Sequence, residues 1–196
     1  MRSGRRRPSG PAAAVALAVV MAASACSSAS TSQTGSSSSL STSPTTTTAS
    51  PQSASPNPTE QAKAAALKSY SAFWLAQVSS EAHPKHRPDP GLVKHAIDKA
   101  LADAQATIFL YRQNGIEMRG EPTHSAEVTS VVLTDPQTVA ITDCLDSTHW
   151  RPVYAATGKS ALAPGQSPRV IVESTATVYN GRWVIRTSVA HRDRSC

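Results

Sequence analysis

The sequence predicts an α+β domain in which N-terminal helices pack on one face of a curved antiparallel sheet. Two observations carry this prediction. Apolar residues recur at three- and four-residue steps from Leu67 to Tyr111, and after Gly115 the period drops to two. Near the end of the chain, Asn180-Gly181 stands between two alternating runs, a strong local signal for a β-hairpin.

Residues 1–25 read as a signal peptide. Arg2, Arg5, Arg6 and Arg7 form a charged start, Ala12 to Ala23 an apolar core, and Ala23-Ser24-Ala25-Cys26 a small-residue cut site. The apolar run is shorter than the ~20 residues a membrane span needs. The residues after the arginines, Pro8-Ser9-Gly10, lack the apolar pair of twin-arginine signals, so general secretion is expected. A cysteine at the cut site looks like a bacterial lipoprotein signal. Cys26 is then the lipidation site, the membrane is the partner of that lipid, and the mature chain sits on the outer face of the cell membrane. The alternative is plain secretion after cleavage near Ala25.

Residues 26–59 read as a disordered tether. After Cys26 they are almost all Ser, Thr, Ala, Pro and Gln, with Leu40 the one large aliphatic residue. Such a stretch buries too little apolar surface to offset its chain entropy. As a flexible coil it reaches ~30 Å on root-mean-square. The charge supports no nucleic-acid partner. Four of the 19 basic residues lie in the signal, which leaves 15 against 13 acidic ones.

Residues 60–196 suit one domain. Asn57 can cap the first helix, Pro58 suits its first position, and Glu60 sits where a capping-box acid belongs. Leu67, Tyr70, Trp74 and Val78 are expected on its core face, flanked by Ala66 and Phe73. His83-Pro84-Lys85-His86-Arg87-Pro88 breaks it. Asp89-Pro90 starts a second helix. Val93, Ile97, Ala100, Leu101, Ala104 and Ile108 carry it toward Tyr111 with any break near Thr107, and Asn114-Gly115 stops it.

Strands follow. Residues 126–133 and 138–146 are rich in Val, Ile and Thr and are separated by Asp135-Pro136. On the second, Val139, Ile141, Asp143 and Leu145 share one face. A short strand is expected around Trp150–Ala156. In the last hairpin the turn pairs Val178 with Trp183, Ala176 with Ile185, Ser174 with Thr187 and Val172 with Val189, and Trp74 and Trp183 are expected in the core. Cys144 and Cys196 remain after Cys26 is assigned, and in an exported chain a disulfide between them is expected.

At this point the chain resembles small secreted lipoproteins of high-GC Gram-positive bacteria with a nuclear transport factor 2-like domain. The similar features are the tether, the two-part helical start, Thr142-Asp143-Cys144-Leu145-Asp146 followed by Trp150, and Gly181-Arg182-Trp183-Val184-Ile185 with a closing Cys196. The resemblance implies a cone-shaped α+β fold. It carries no catalytic signature.

Asp143 is the candidate catalytic residue, because a carboxylate on an apolar strand face has a raised pKa unless it is paired; the structural alternative is that it pairs with an Arg or caps a turn near the disulfide. Enzymes of this fold class, of the ketosteroid isomerase and epoxide hydrolase types, use an acidic residue in the cone as a proton acceptor. Asp146 and Trp150 are pocket candidates beside it, with the alternative that they simply close a loop. Thr157-Gly158-Lys159-Ser160 lacks the earlier glycine of a phosphate loop, since Val153 stands there. His124, His149 and His191 are scattered over strand ends, so no metal and no cofactor is expected. Two functions stand: a binding or assembly module for an envelope protein or small molecule, and an isomerase or hydrolase with Asp143 as general base. The first is favoured, because Asp143 has no evident catalytic companion.

Overall fold

A computed structural model describes residues 57–196. The signal peptide, the lipidation at Cys26 and the tether expected from the sequence fall outside the described residues as far as residue 56, and residues 57–59, expected in that tether, instead cap and begin the first helix. The elements are α1 (Pro58–Ala82), α2 (Gly91–His95), α3 (Asp98–Asn114), β1 (Ile116–Arg119), β2 (Ala126–Val132), β3 (Thr138–Asp146), β4 (Arg151–Tyr154), β5 (Arg169–Tyr179) and β6 (Arg182–His191). The domain is α+β. A four-stranded antiparallel sheet runs in the order β2-β3-β5-β6, and β1 pairs with β4 in a separate two-stranded sheet.

The Asn57 side chain caps α1 by accepting from the Thr59 N–H at 3.0 Å. Glu60 does not complete a capping box. It pairs instead with Lys63 at 2.8 Å, one turn on. The buried face of α1 carries Ala62, Ala66, Tyr70, Phe73, Trp74 and Ala76, and extends over the polar Ser80 and Glu81. Leu67 and Val78 sit at its margin, half-buried.

The single second helix expected from Asp89 is two helices. Asp89 does act at its start, accepting from the Gly91 N–H at 2.7 Å. The break falls at Ala96–Ile97, not near Thr107. There the Ile97 N–H donates to the Ile185 carbonyl of β6 at 2.9 Å, and Ala96 forms a parallel bridge with Ile185. A backbone that pairs with a strand cannot also continue a helical ladder. Leu92 is buried and Val93 exposed, the reverse of the expected stripe. Gly115 closes α3 in the left-handed conformation, with φ 64°.

On β3, Val139, Ile141, Asp143 and Leu145 are all buried. They pair with Ala176, Ser174, Val172 and Val170 of β5. These rows form the sheet's inner face, against which Tyr70, Phe73, Leu92 and Ile108 pack in one continuous core. The last hairpin keeps its predicted pairs Val178–Trp183 and Ala176–Ile185. A bulge then shifts the register. Ser174 faces Ser188 and Val172 faces Ala190, so Val189 is turned outward. The extra residue is Arg186, which reaches Asp98 at 2.8 Å. Trp183 is half-buried and packs on the margin of the core, whereas Trp74 lies within it. The strand β1 was not anticipated. Gly120, just beyond it, has φ 81°, and a Cβ there would collide with the His149 carbonyl oxygen, so only glycine lets this segment pass under the loop that carries Trp150.

Cys144 and Cys196 are joined, with Cα atoms 5.8 Å apart. The tail has further ties beyond the disulfide. Arg194 pairs with Glu173 at 2.7 Å, its carbonyl accepts from the Ile171 N–H, and the Ser195 and Ser167 hydroxyls meet at 3.2 Å. Among the described residues, no helix is long and apolar enough to cross a membrane.

Candidate functional site

Helix α1 sets two buried acidic sites apart. Tyr70, Trp74, Gln77 and Glu81 recur at steps of four, three and four, which places them on one helical face. Tyr70 and Glu81 are eleven residues apart, a rise of about 16 Å. Tyr70 meets Asp143 at one end. Glu81 meets a cavity at the other.

Asp143 is fully buried, with 0% exposure. Its Oδ2 accepts from the Tyr70 hydroxyl at 2.8 Å and lies 2.6 Å from His124 Nδ1, and its Oδ1 accepts from the Ser125 N–H at 2.7 Å. Burial pushes its carboxyl up. The hydrogen bonds from His124 and Tyr70, the His124 charge and the Ser125 N–H outweigh burial, so its pKa ends below the ordinary value. Burial first, and the neighbouring Asp143 second, push the Tyr70 hydroxyl far up, which keeps it a donor. The His124 ring lies against Trp74, with ring centres 4.9 Å apart.

The cavity is bounded by α1, α3 and residues of β1, β3, β4, β5 and β6 and has a volume of about 580 Å³. Phe73, Trp74, Tyr111 and Trp150 give it aromatic walls, and Leu145, Val170 and Val172 give it an apolar sheet floor. Asp143 is not among its lining residues. Val172, its partner on β5, and Leu145, two residues along β3, do line it, so the cavity begins next to the carboxylate, whose own side chain stays outside the lining. Trp150 is brought to the cavity and meets Trp74 edge-on at 6.0 Å. Asp146 is not. It is half-buried, accepts from the Thr148 N–H at 2.9 Å and lies 3.9 Å from Arg169, so it closes the loop that leads to Trp150. Of the three pocket candidates, the structure therefore places Trp150 alone at the cavity. No group of three His, Cys, Asp or Glu side chains that could hold a metal comes together among the described residues.

Glu81 was not foreseen. It lines the cavity with 1% exposure, and its Oε1 accepts from Gln77 Nε2 at 2.9 Å. Burial raises its pKa to about 7, partly offset by the Gln77 hydrogen bond. Burial, and the charge of Glu81 behind it, push the Tyr111 hydroxyl up to about 12. A polar residue at the end of an amphipathic helix reads as solvent-facing, which is why Glu81 escaped notice. The spacing of Tyr70, Trp74, Gln77 and Glu81 was the signal that could have placed it inward.

The shift of Glu81 has a testable sign. Its folded pKa lies above the unfolded value, so the folded state holds more protons between about pH 4.5 and about pH 7, and its contribution to stability falls as pH rises through that window. Glu81→Gln is expected to leave stability near wild type at about pH 4 and to raise it by roughly 2–3 kcal/mol at about pH 8. Urea unfolding at both pH values checks this. An equal effect at both would show that Glu81 ionises as freely in the fold as in the unfolded chain.

No protein-family model matches the chain, and no curated protein sequence does. Among solved structures, the chain is similar to the intermembrane space region of the chloroplast protein ARC6. The two are 13% identical with a TM-score of 0.41, and the match covers 66% of this chain and 96% of that one.

Proposed function

We propose that this chain is an extracytoplasmic binding module whose domain, a nuclear transport factor 2-like cone, receives a small molecule in the cavity between α1, α3 and the sheet. In this reading Cys26 carries lipid and anchors the module on the outer face of the cell membrane, and residues 26–56 are its tether. The cavity carries the proposal. Its volume of about 580 Å³ and its mixed lining, aromatic and apolar side chains from the helices and sheet with polar and charged ones among them, suit a small ligand. The reading of Asp143 as a general base draws no support from its surroundings. Three donors engage its oxygens, and the side chain lies outside the cavity lining.

Octanol, a neutral apolar probe, tests the cavity. Trp74 and Trp150 line it, so saturable binding is expected to change tryptophan emission. Ala104→Phe, which fills the cavity from α3, is expected to abolish the change. A response that survives Ala104→Phe would place the binding elsewhere. The anchor is tested separately. Radiolabelled fatty acid is expected to enter the wild type and not Cys26→Ala, and equal labelling of both would refute lipidation at Cys26.

A further inference from the structure

We infer that the cavity's ligand is an organic ammonium ion, a primary or methylated amine on an apolar chain, held by Glu81 as counter-ion within walls formed by Trp74, Trp150 and Tyr111. The inference rests on the cavity being a ligand site and names the class of ligand. It begins from the placement of one carboxyl. Glu81 is among the most deeply buried side chains of the domain and borders the cavity. Its hydrogen-bond partner is a neutral amide, Gln77. Among the described residues, no Lys, Arg or His nitrogen lies within ion-pair distance of it. Burying a carboxylate without a cation is costly, and a cation brought by a ligand would remove that cost.

The walls suit the same ligand. The faces of Trp and Tyr attract cations electrostatically, and aromatic cages recognise alkylated ammonium groups. Here Trp74 comes from α1, Tyr111 from α3 and Trp150 from the loop before β4, so three elements converge on the cavity that Glu81 borders. The remaining charged groups lie in a consistent order. Asp103 of α3 also lines the cavity, but Lys99 holds it at 2.7 Å. Arg151 and Arg192 line it too, and both are exposed, with Arg151 Nε committed to the Thr148 carbonyl at 2.6 Å. The buried end therefore holds Glu81 and aromatic groups, and at the exposed rim stand Arg151, Arg192 and the Lys99-paired Asp103. An anionic head group would stop at that rim, whereas an ammonium group is drawn inward. The raised pKa of Glu81 fits a carboxyl that lacks a cation in the free protein.

The test compares octylamine, octanol and octanoate by tryptophan emission in the purified full chain. At about pH 8, octylamine is expected to bind about tenfold more tightly than octanol, with octanoate weakest. Glu81→Gln is expected to remove the amine's advantage, read as the ratio of octylamine to octanol affinity within the same variant. In the wild type the same advantage is expected to shrink at about pH 5.5, where Glu81 is protonated, so this arm does not depend on the variant folding. Octanol or octanoate binding as tightly as the amine, or an amine preference that survives Glu81→Gln, would overturn the inference while leaving the cavity as a ligand site. No saturable response to any of the three would overturn both.

Discussion

Asp143→Asn is expected to destabilise the domain by about 3–5 kcal/mol, the range for breaking a buried, paired charge. Three donors converge on this carboxylate from α1, from the segment before β2 and from the His124 ring. An amide offers one acceptor oxygen to them and brings donors of its own into the same space. The Tyr70 hydroxyl has no water to turn to, since Tyr70 and Asp143 are both fully buried. The pH dependence has a definite sign. The folded pKa lies below the unfolded value, so the stabilisation is present above about pH 4 and is lost as pH falls through the lowered folded pKa. Wild type and variant should therefore differ fully at neutral pH and converge in acid. Tyr70→Phe, which removes one donor, is expected to cost about 1 kcal/mol. Denaturant unfolding measures all three proteins. A loss below about 1 kcal/mol for Asp143→Asn would mean that the carboxylate does not organise the core, and would reopen a chemical role for it.

The second large effect belongs to the Cys144–Cys196 disulfide. It closes a loop of sequence separation 52, for which loop-closure entropy gives about 4 kcal/mol as an upper figure. The bond fixes the C-terminal tail to β3, past β5, whose Ile171 pairs with Cys144. The ion pair of Arg194 with Glu173 is too exposed to replace it. Reduction, or Cys196→Ser, is expected to lower the melting temperature by about 10–15 °C. An unchanged melting temperature on full reduction would mean that the exposed polar ties of the tail suffice.

Local chemistry made much of the fold legible. Asn57 marks the start of α1, Gly115 the end of α3 and Asn180-Gly181 the last turn, because each residue type meets a backbone need of its own position. The alternation on β3 placed Asp143 on the buried face for the same reason. What escaped depends on distant partners. The break at Ala96–Ile97 exists because Ile185, far along the chain, offers a carbonyl to the Ile97 N–H. The bulge at Arg186 moves Val189 out of the sheet's inner face, and no residue near Asn180-Gly181 announces it. The cavity is set by how α1 and α3 stand over the sheet, which no local period encodes. The strand alternation therefore points to Asp143, whose partners saturate it, whereas no such alternation points to Glu81, whose surroundings do not.

The most direct measurement is a crystal structure of the protein soaked with octanol. Density for the alkyl chain is predicted between Phe73, Trp74 and Trp150, over Val170 and Val172, with Asp143 still bound to Tyr70, His124 and Ser125. A cavity closed by its own side chains, or octanol found only on the outer surface, would contradict the proposed binding site.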